Sequence, residues 1–161
     1  MPIEELNTAA AFFAQDIEFS ADRWESWYRV AQVYDAQLEE QVSWSAEKMN
    51  SNNSDLIQLQ RSSIHCYIMA AANAIEIEDA KVEASDNISN MFFDFGMRMY
   101  ASSRLPYGME AFRLRGTEER YYSGETVYKS PSFTELTVYN AWRIAASLFI
   151  RALGRRTEPW M

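Results

Sequence analysis

Two residue types with catalytic or metal-binding chemistry stand side by side in this chain, His65 and Cys66, and they are its only histidine and its only cysteine. A structural metal site takes about four such ligands, so one of each cannot close it. Nor can the two act as base and nucleophile on one helix, because adjacent helical residues point about 100° apart. Paired acids are the other candidates for proton transfer: Glu39 with Glu40, and Glu76 with Glu78. Neighbouring helical carboxylates are ordinarily solvated, and no third group orients these. No phosphate-cradling glycine loop or serine nucleophile elbow occurs either. The reading is a non-enzyme with no catalytic, cofactor or metal residues.

A different constellation lies further on. Arg104, Arg113, Arg115 and Arg120, interleaved with Tyr121, Tyr122 and Tyr128, combine the residue types enriched at protein-interface hot spots. They are the candidate partner contact. The alternative is a loop folded back along the protein with its tyrosines buried.

The elements that position these residues are helices. Only four prolines and five glycines occur in 161 residues, most of them from Gly96 onward, so little interrupts a helix in the first half. Apolar spacing predicts helices over Thr8 to Phe19, from Trp24 to about Met49, from Asp55 to about Ile77, from Ile88 to about Ser102, and from Thr134 to Leu153 with Gly154 closing. Ser20 or Asp22 is placed to cap the second helix. The polar run Asn50 to Ser54 and an acidic stretch, Glu78 to Asp86, read as breaks. Leu105 to Ser132 reads as a long irregular insert (about 103–133).

A repeat underlies the helices. Trp27, Val30, Ala31 and Tyr34 match the first half of a tetratricopeptide pattern, and Phe92, Phe95, Gly96 and Met99 match it again. The second half, a small residue, an aromatic four later and a small residue three beyond, is met by Ser63, Tyr67 and Ala70, and by Ala145, Phe149 and Ala152. Ala9 and Phe13 begin an orphan second half, with Asp16 at its third position. Small residues let helices approach closely while the aromatic fills the wedge between successive pairs. These positions are therefore expected in the core. The expectation is an all-α chain: one helical-repeat domain over 1–161, built of antiparallel pairs in a short solenoid and forming a fragment of a longer one.

Composition bounds the partners. A formal net charge of −8 and 48% apolar residues describe an acidic chain able to bury a core without disulfides. Direct grip on nucleic acid, which needs clustered cations, is not expected, whereas basic proteins such as histones are attracted. Residues 1–60 carry eleven acids against Arg23, Arg29 and Lys48, while residues 98–161 carry ten bases against six acids. One cysteine suits a reducing compartment. No signal sequence or membrane segment is expected.

The stretch Ala10 to Ala46, above all Asp16-Ile17 followed by Arg23-Trp24-Glu25-Ser26-Trp27, resembles the large helical-repeat subunit of the HIR histone chaperone complex, the fungal relative of the animal calcineurin-binding protein cabin. The blocks FDFGMRMYASS and AWRIAASLFIRAL are similar to it as well. The resemblance implies a nuclear, non-catalytic scaffold that works with WD-repeat subunits, and with core histones, in replication-independent nucleosome assembly and transcription regulation. It implies no particular binding residues. The alternative is an unrelated tetratricopeptide-like adaptor that binds a peptide motif of an assembly or signalling partner. The carboxylate-clamp version is disfavoured, because its Lys and Asn positions hold Tyr28, Gln32, Phe93 and Met97.

Overall fold

A computed structural model describes residues 3–45, 53–75, 82–113, 120–123, 126–129 and 136–154. Five helices carry the architecture: α1 (Ile3–Phe19), α2 (Trp24–Ser45), α3 (Asn53–Ile75), α4 (Val82–Ser103) and α5 (Val138–Gly154). The closest packing joins α2 to α3 and α4 to α5, α1 lies on α2, and α4 bridges the two pairs.

Four helix starts differ from those read in the sequence; α3 begins at Asn53, two residues before Asp55, so Asn53 and Ser54 of the polar run read as a break are its first residues. Helix α1 starts five residues before Thr8, because Leu6 is buried and Asn7 Oδ1 accepts a 2.8 Å hydrogen bond from Gln37 Nε2 of α2. Helix α4 starts at Val82, so part of the acidic stretch assigned to a turn is its first turn. Helix α5 starts at Val138 instead of Thr134. Thr137 supplies its cap: the hydroxyl oxygen accepts from the Asn140 N–H at 3.2 Å, and its carbonyl accepts from Ala141. Met49, Asn50 to Asn52, and Glu76 and Glu78 lie outside the described residues.

The insert is less irregular than its glycines and prolines suggest. It opens with a short 3-10 turn, Glu110–Phe112, reached through consecutive left-handed residues, Gly108 and Met109. Arg61 of α3 ties that turn down by donating to the carbonyl of Ala111 at 3.0 Å. Beyond it, β1 (Arg120–Ser123) and β2 (Thr126–Lys129) pair as an antiparallel hairpin, with Tyr121 opposite Tyr128. Tyr121, Tyr122, Thr126, Val127 and Tyr128 are residues that favour strands, so these two segments correct the expectation of irregular backbone.

One cluster of buried side chains runs through all the pairs, including Tyr28, Val30 and Ala31 of α2, Tyr67 and Ala70 of α3, Phe92, Phe95 and Met99 of α4, and Ala145, Leu148 and Ala152 of α5. Full burial of one such aromatic or aliphatic side chain is worth roughly 1.5–3 kcal/mol. Close approach depends on the small residues between them. At Gly96 an added Cβ would lie 2.8 Å from Cε1 of Phe149, so α4 and α5 reach their spacing only because this position has no side chain. Ser89, buried beside them, donates its hydroxyl to the carbonyl of Ala152 at 2.7 Å, which satisfies a polar group that the apolar seam would otherwise strand.

Candidate partner-binding surface

Of the spacing-matched repeat positions, Val30, Ala31, Ser63, Tyr67, Ala70, Phe92, Phe95, Gly96, Ala145 and Ala152 are buried, while Ala9, Phe13, Trp27, Tyr34 and Phe149 are partly buried. Trp27 is held at its polar edge: Nε1–H donates to the Ala21 carbonyl at 2.8 Å, and the ring meets His65 edge-on.

That contact belongs to a lock on the α1–α2 turn. The Asp16 carboxylate accepts a hydrogen bond from the Ser26 hydroxyl and lies 3.7 Å from the Arg23 guanidinium. The Arg23 N–H closes the turn on the Ser20 carbonyl. Neither Ser20 nor Asp22 makes a side-chain cap. The motif Asp16…Arg23-Trp24-Glu25-Ser26-Trp27 is thus a set of ties across one short turn, which fixes the angle between α1 and α2.

A second polar device lies deeper and joins the two helix pairs. Asp35 of α2 accepts from three donors: Ser63 Oγ at 2.6 Å, Tyr67 Oη at 2.6 Å and Arg98 Nε at 2.8 Å. Beside it, Tyr28 donates its hydroxyl to Asp94 of α4. Burial, reinforced by Asp35, raises the Tyr67 phenol above its ordinary range, and burial and the Asp94 bond do the same for Tyr28. A half-buried carboxylate with several donors and a buried arginine as its ion-pair partner is a positioning element. Sequence spacing missed it because Asp35 and Arg98 are 63 residues apart.

The reactive-type residues are separated. Cys66 is buried, and burial alone pushes its thiol up to about 11, which makes it a weak nucleophile at neutral pH. His65 is exposed on the other side of α3. Among the described residues no group of three or more His, Cys, Asp or Glu could hold a metal, and no helix is long and apolar enough to cross a membrane.

The basic, aromatic set is only partly brought together. Exposed Arg104 lies over the Tyr100 ring at 5.2 Å and donates to its hydroxyl oxygen at 3.1 Å. Arg113 pairs with Glu110 at 2.8 Å, which holds it to the 3-10 turn. Arg120, Tyr121, Tyr122 and Tyr128 occupy the hairpin backbone, with Arg120 opposite Lys129. Arg115 lies outside the described residues.

Comparison with known proteins adds a family and several relatives. A family model described as the HIR3 helical bundle domain matches residues 1–156. Over its whole length the chain is 41% identical to a protein of Aspergillus fumigatus named histone transcription regulator 3 homolog. Proteins of the same name match it at 36% identity over 98% of the chain in Chaetomium globosum and at 29% over 91% in Schizosaccharomyces pombe. In each case the chain spans about 8% of the relative's length.

Proposed function

This chain belongs to the HIR3 helical bundle family, and on that premise we propose that it is a non-catalytic scaffold module of a histone chaperone complex that acts in nucleosome assembly and transcription regulation. The observation that carries the reading is the match of the whole chain to proteins named for histone transcription regulation. The structure gives that role a physical basis. Two helix pairs, locked to each other by Asp35 and Arg98 and to α1 by Asp16, make a stiff body that can hold other subunits at fixed separations.

The working compartment is the nucleus and the assembly is replication-independent. The neighbours are WD-repeat subunits, with core histones reached directly or through them. An acidic body favours basic partners, and exposed Glu4, Glu5 and Glu18 place part of that charge on α1. The insert, with Arg104, Arg113, Arg115 and Arg120 and the tyrosines of the hairpin, is the contact surface for a neighbouring subunit. The domain is one unit of a longer solenoid.

Co-purification tests the proposal. A tagged parent protein recovered from nuclear extract should bring down WD-repeat chaperone subunits and core histones, identified by mass spectrometry. Eluates that contain a different partner with a short linear motif, and neither of those classes, would overturn it in favour of a generic helical-repeat adaptor. Replacing Tyr121 and Tyr122 with Ala together should weaken subunit recovery with the helical circular dichroism unchanged; full recovery would remove the insert from the interface.

A further inference from the structure

The two helix pairs share one spacing, which allows them to be compared position by position. Tyr28 and Asp35 of α2 correspond to Phe93 and Tyr100 of α4, 65 residues on, and Tyr67 of α3 corresponds to Phe149 of α5. The correspondence holds in space. The Tyr28 and Tyr67 rings lie 6.2 Å apart at 47°, and the Phe93 and Phe149 rings lie 5.6 Å apart at 53°. Each pair of helices therefore presents a tilted aromatic couple across its seam.

Their surroundings differ. The first couple is roofed by α4: Phe95 stacks on Tyr67 at 5.4 Å, Asp94 takes the Tyr28 hydroxyl, and Arg98 takes Asp35. Tyr28 is left 7% exposed and Tyr67 1%. No described element covers the second couple. Phe93 is 45% exposed, Met97 46% and Trp142 48%, and the Tyr100 and Trp142 rings continue the seam with 6.4 Å between centroids. Contiguous apolar surface of this kind on a folded body marks a binding face.

We propose that the α4–α5 groove is the seat of one further amphipathic helix, supplied by the same polypeptide after α5, which lies on Phe93 and Phe149 as α4 lies on Tyr28 and Tyr67. Three observations identify the occupant. The roof of the first seam is the helix that follows α3 in the chain, so the equivalent roof follows α5. The relatives are much longer than this stretch, which is 8% of their length. The chemistry of the seam narrows the helix further. Phe93 and Phe149 lack the hydroxyls of their counterparts, and Tyr100 replaces the Asp35 carboxylate, so nothing here recruits a buried arginine. Exposed Arg104, held over the Tyr100 ring, puts positive charge at one end of the groove. The helix that fits is apolar along its centre, with an aromatic residue over Phe149, and acidic at the end that meets Arg104.

The inference rests on the repeat geometry and not on the histone reading, so the loss of one leaves the other standing. Hydroxyl-radical footprinting of the 161-residue chain and of the longer polypeptide that contains it provides the test. Met97 and Trp142 should be oxidised readily in the short chain and at least about fivefold more slowly in the long one, with Tyr28 slow in both. Met97→Glu in the long polypeptide should restore oxidation at Trp142 while Tyr28 stays protected, since a 46% exposed position tolerates the change in folding. Equal oxidation of Trp142 in short and long forms would overturn the proposal, as would continued protection of Trp142 in the Met97→Glu variant. Protection that appears in the short chain at high concentration with a doubled mass would assign the groove to a second copy, and protection that requires added subunits would assign it to a partner; either result overturns the same-chain assignment.

Discussion

The α2–α3 seam and the α4–α5 seam use the same small and aromatic spacing, yet one is closed by a buried ion pair and the other holds no ion pair among the described residues. In the first, Asp35 satisfies Ser63, Tyr67 and Arg98 at once, so α4 is admitted in a single register. In the second, Gly96 lets α5 come close and Phe93, Phe149 and Trp142 remain at the surface. The contrast separates two jobs of a repeat. Small residues and rings set how close two helices lie, and buried charge decides which helix comes next and where.

Removing the charge should therefore have the largest effect and should break the first seam alone. Asp35→Ala leaves an almost fully buried Arg98, whose Nη1 has no partner among the described residues, without its counter-ion. A loss of about 3–5 kcal/mol in chemical denaturation is expected. A loss below about 1 kcal/mol would mean that the cluster is not what joins the pairs.

The same seam should be the alkali-sensitive one. The Tyr28 and Tyr67 phenols are raised in the folded state, so ionisation favours the unfolded chain. Their contribution is complete below pH 10, the unfolded value, and falls away as pH climbs from there toward the folded values. Spectrophotometric titration should show these two tyrosines ionising only with unfolding, whereas their counterparts Phe93 and Phe149 carry no phenol to ionise.

A milder change sharpens the comparison from the other side. Gly96→Ala forces its Cβ against Phe149, a ring that is only partly buried. A net loss of about 1–2 kcal/mol is expected, with overpacking offset in part by the better helix propensity of alanine. Amide exchange should then quicken in α5 before α2 or α3. Smallest of all, Thr137→Ala removes the α5 cap and should cost about 1 kcal/mol, read as fraying of the first turn of that helix.

Much of this fold was legible because it is written at short range. Trp27 to Tyr34, Ser63 to Ala70, Phe92 to Met99 and Ala145 to Ala152 are local patterns, and each lies on a helix of the expected order. Local reading failed where a distant partner decides the outcome. Helix α1 begins before Thr8 because Gln37 of α2 bonds Asn7, and Asp35 joins the two pairs because of a buried arginine 63 positions away. The hairpin was missed for a different reason: the glycines and prolines around it were weighed as a sign of irregular backbone, which hid the two short strands between them. The Asp16 to Trp27 motif was visible as a resemblance, but its meaning, a set of ties across one turn, required the geometry.

The most direct test of the two-seam account is a determined structure of a polypeptide that extends well beyond α5. The account predicts a helix seated across Phe93 and Phe149, with an aromatic ring stacked on Phe149 as Phe95 stacks on Tyr67. Solvent against those rings, or any element other than the next helix of the same chain, would contradict it.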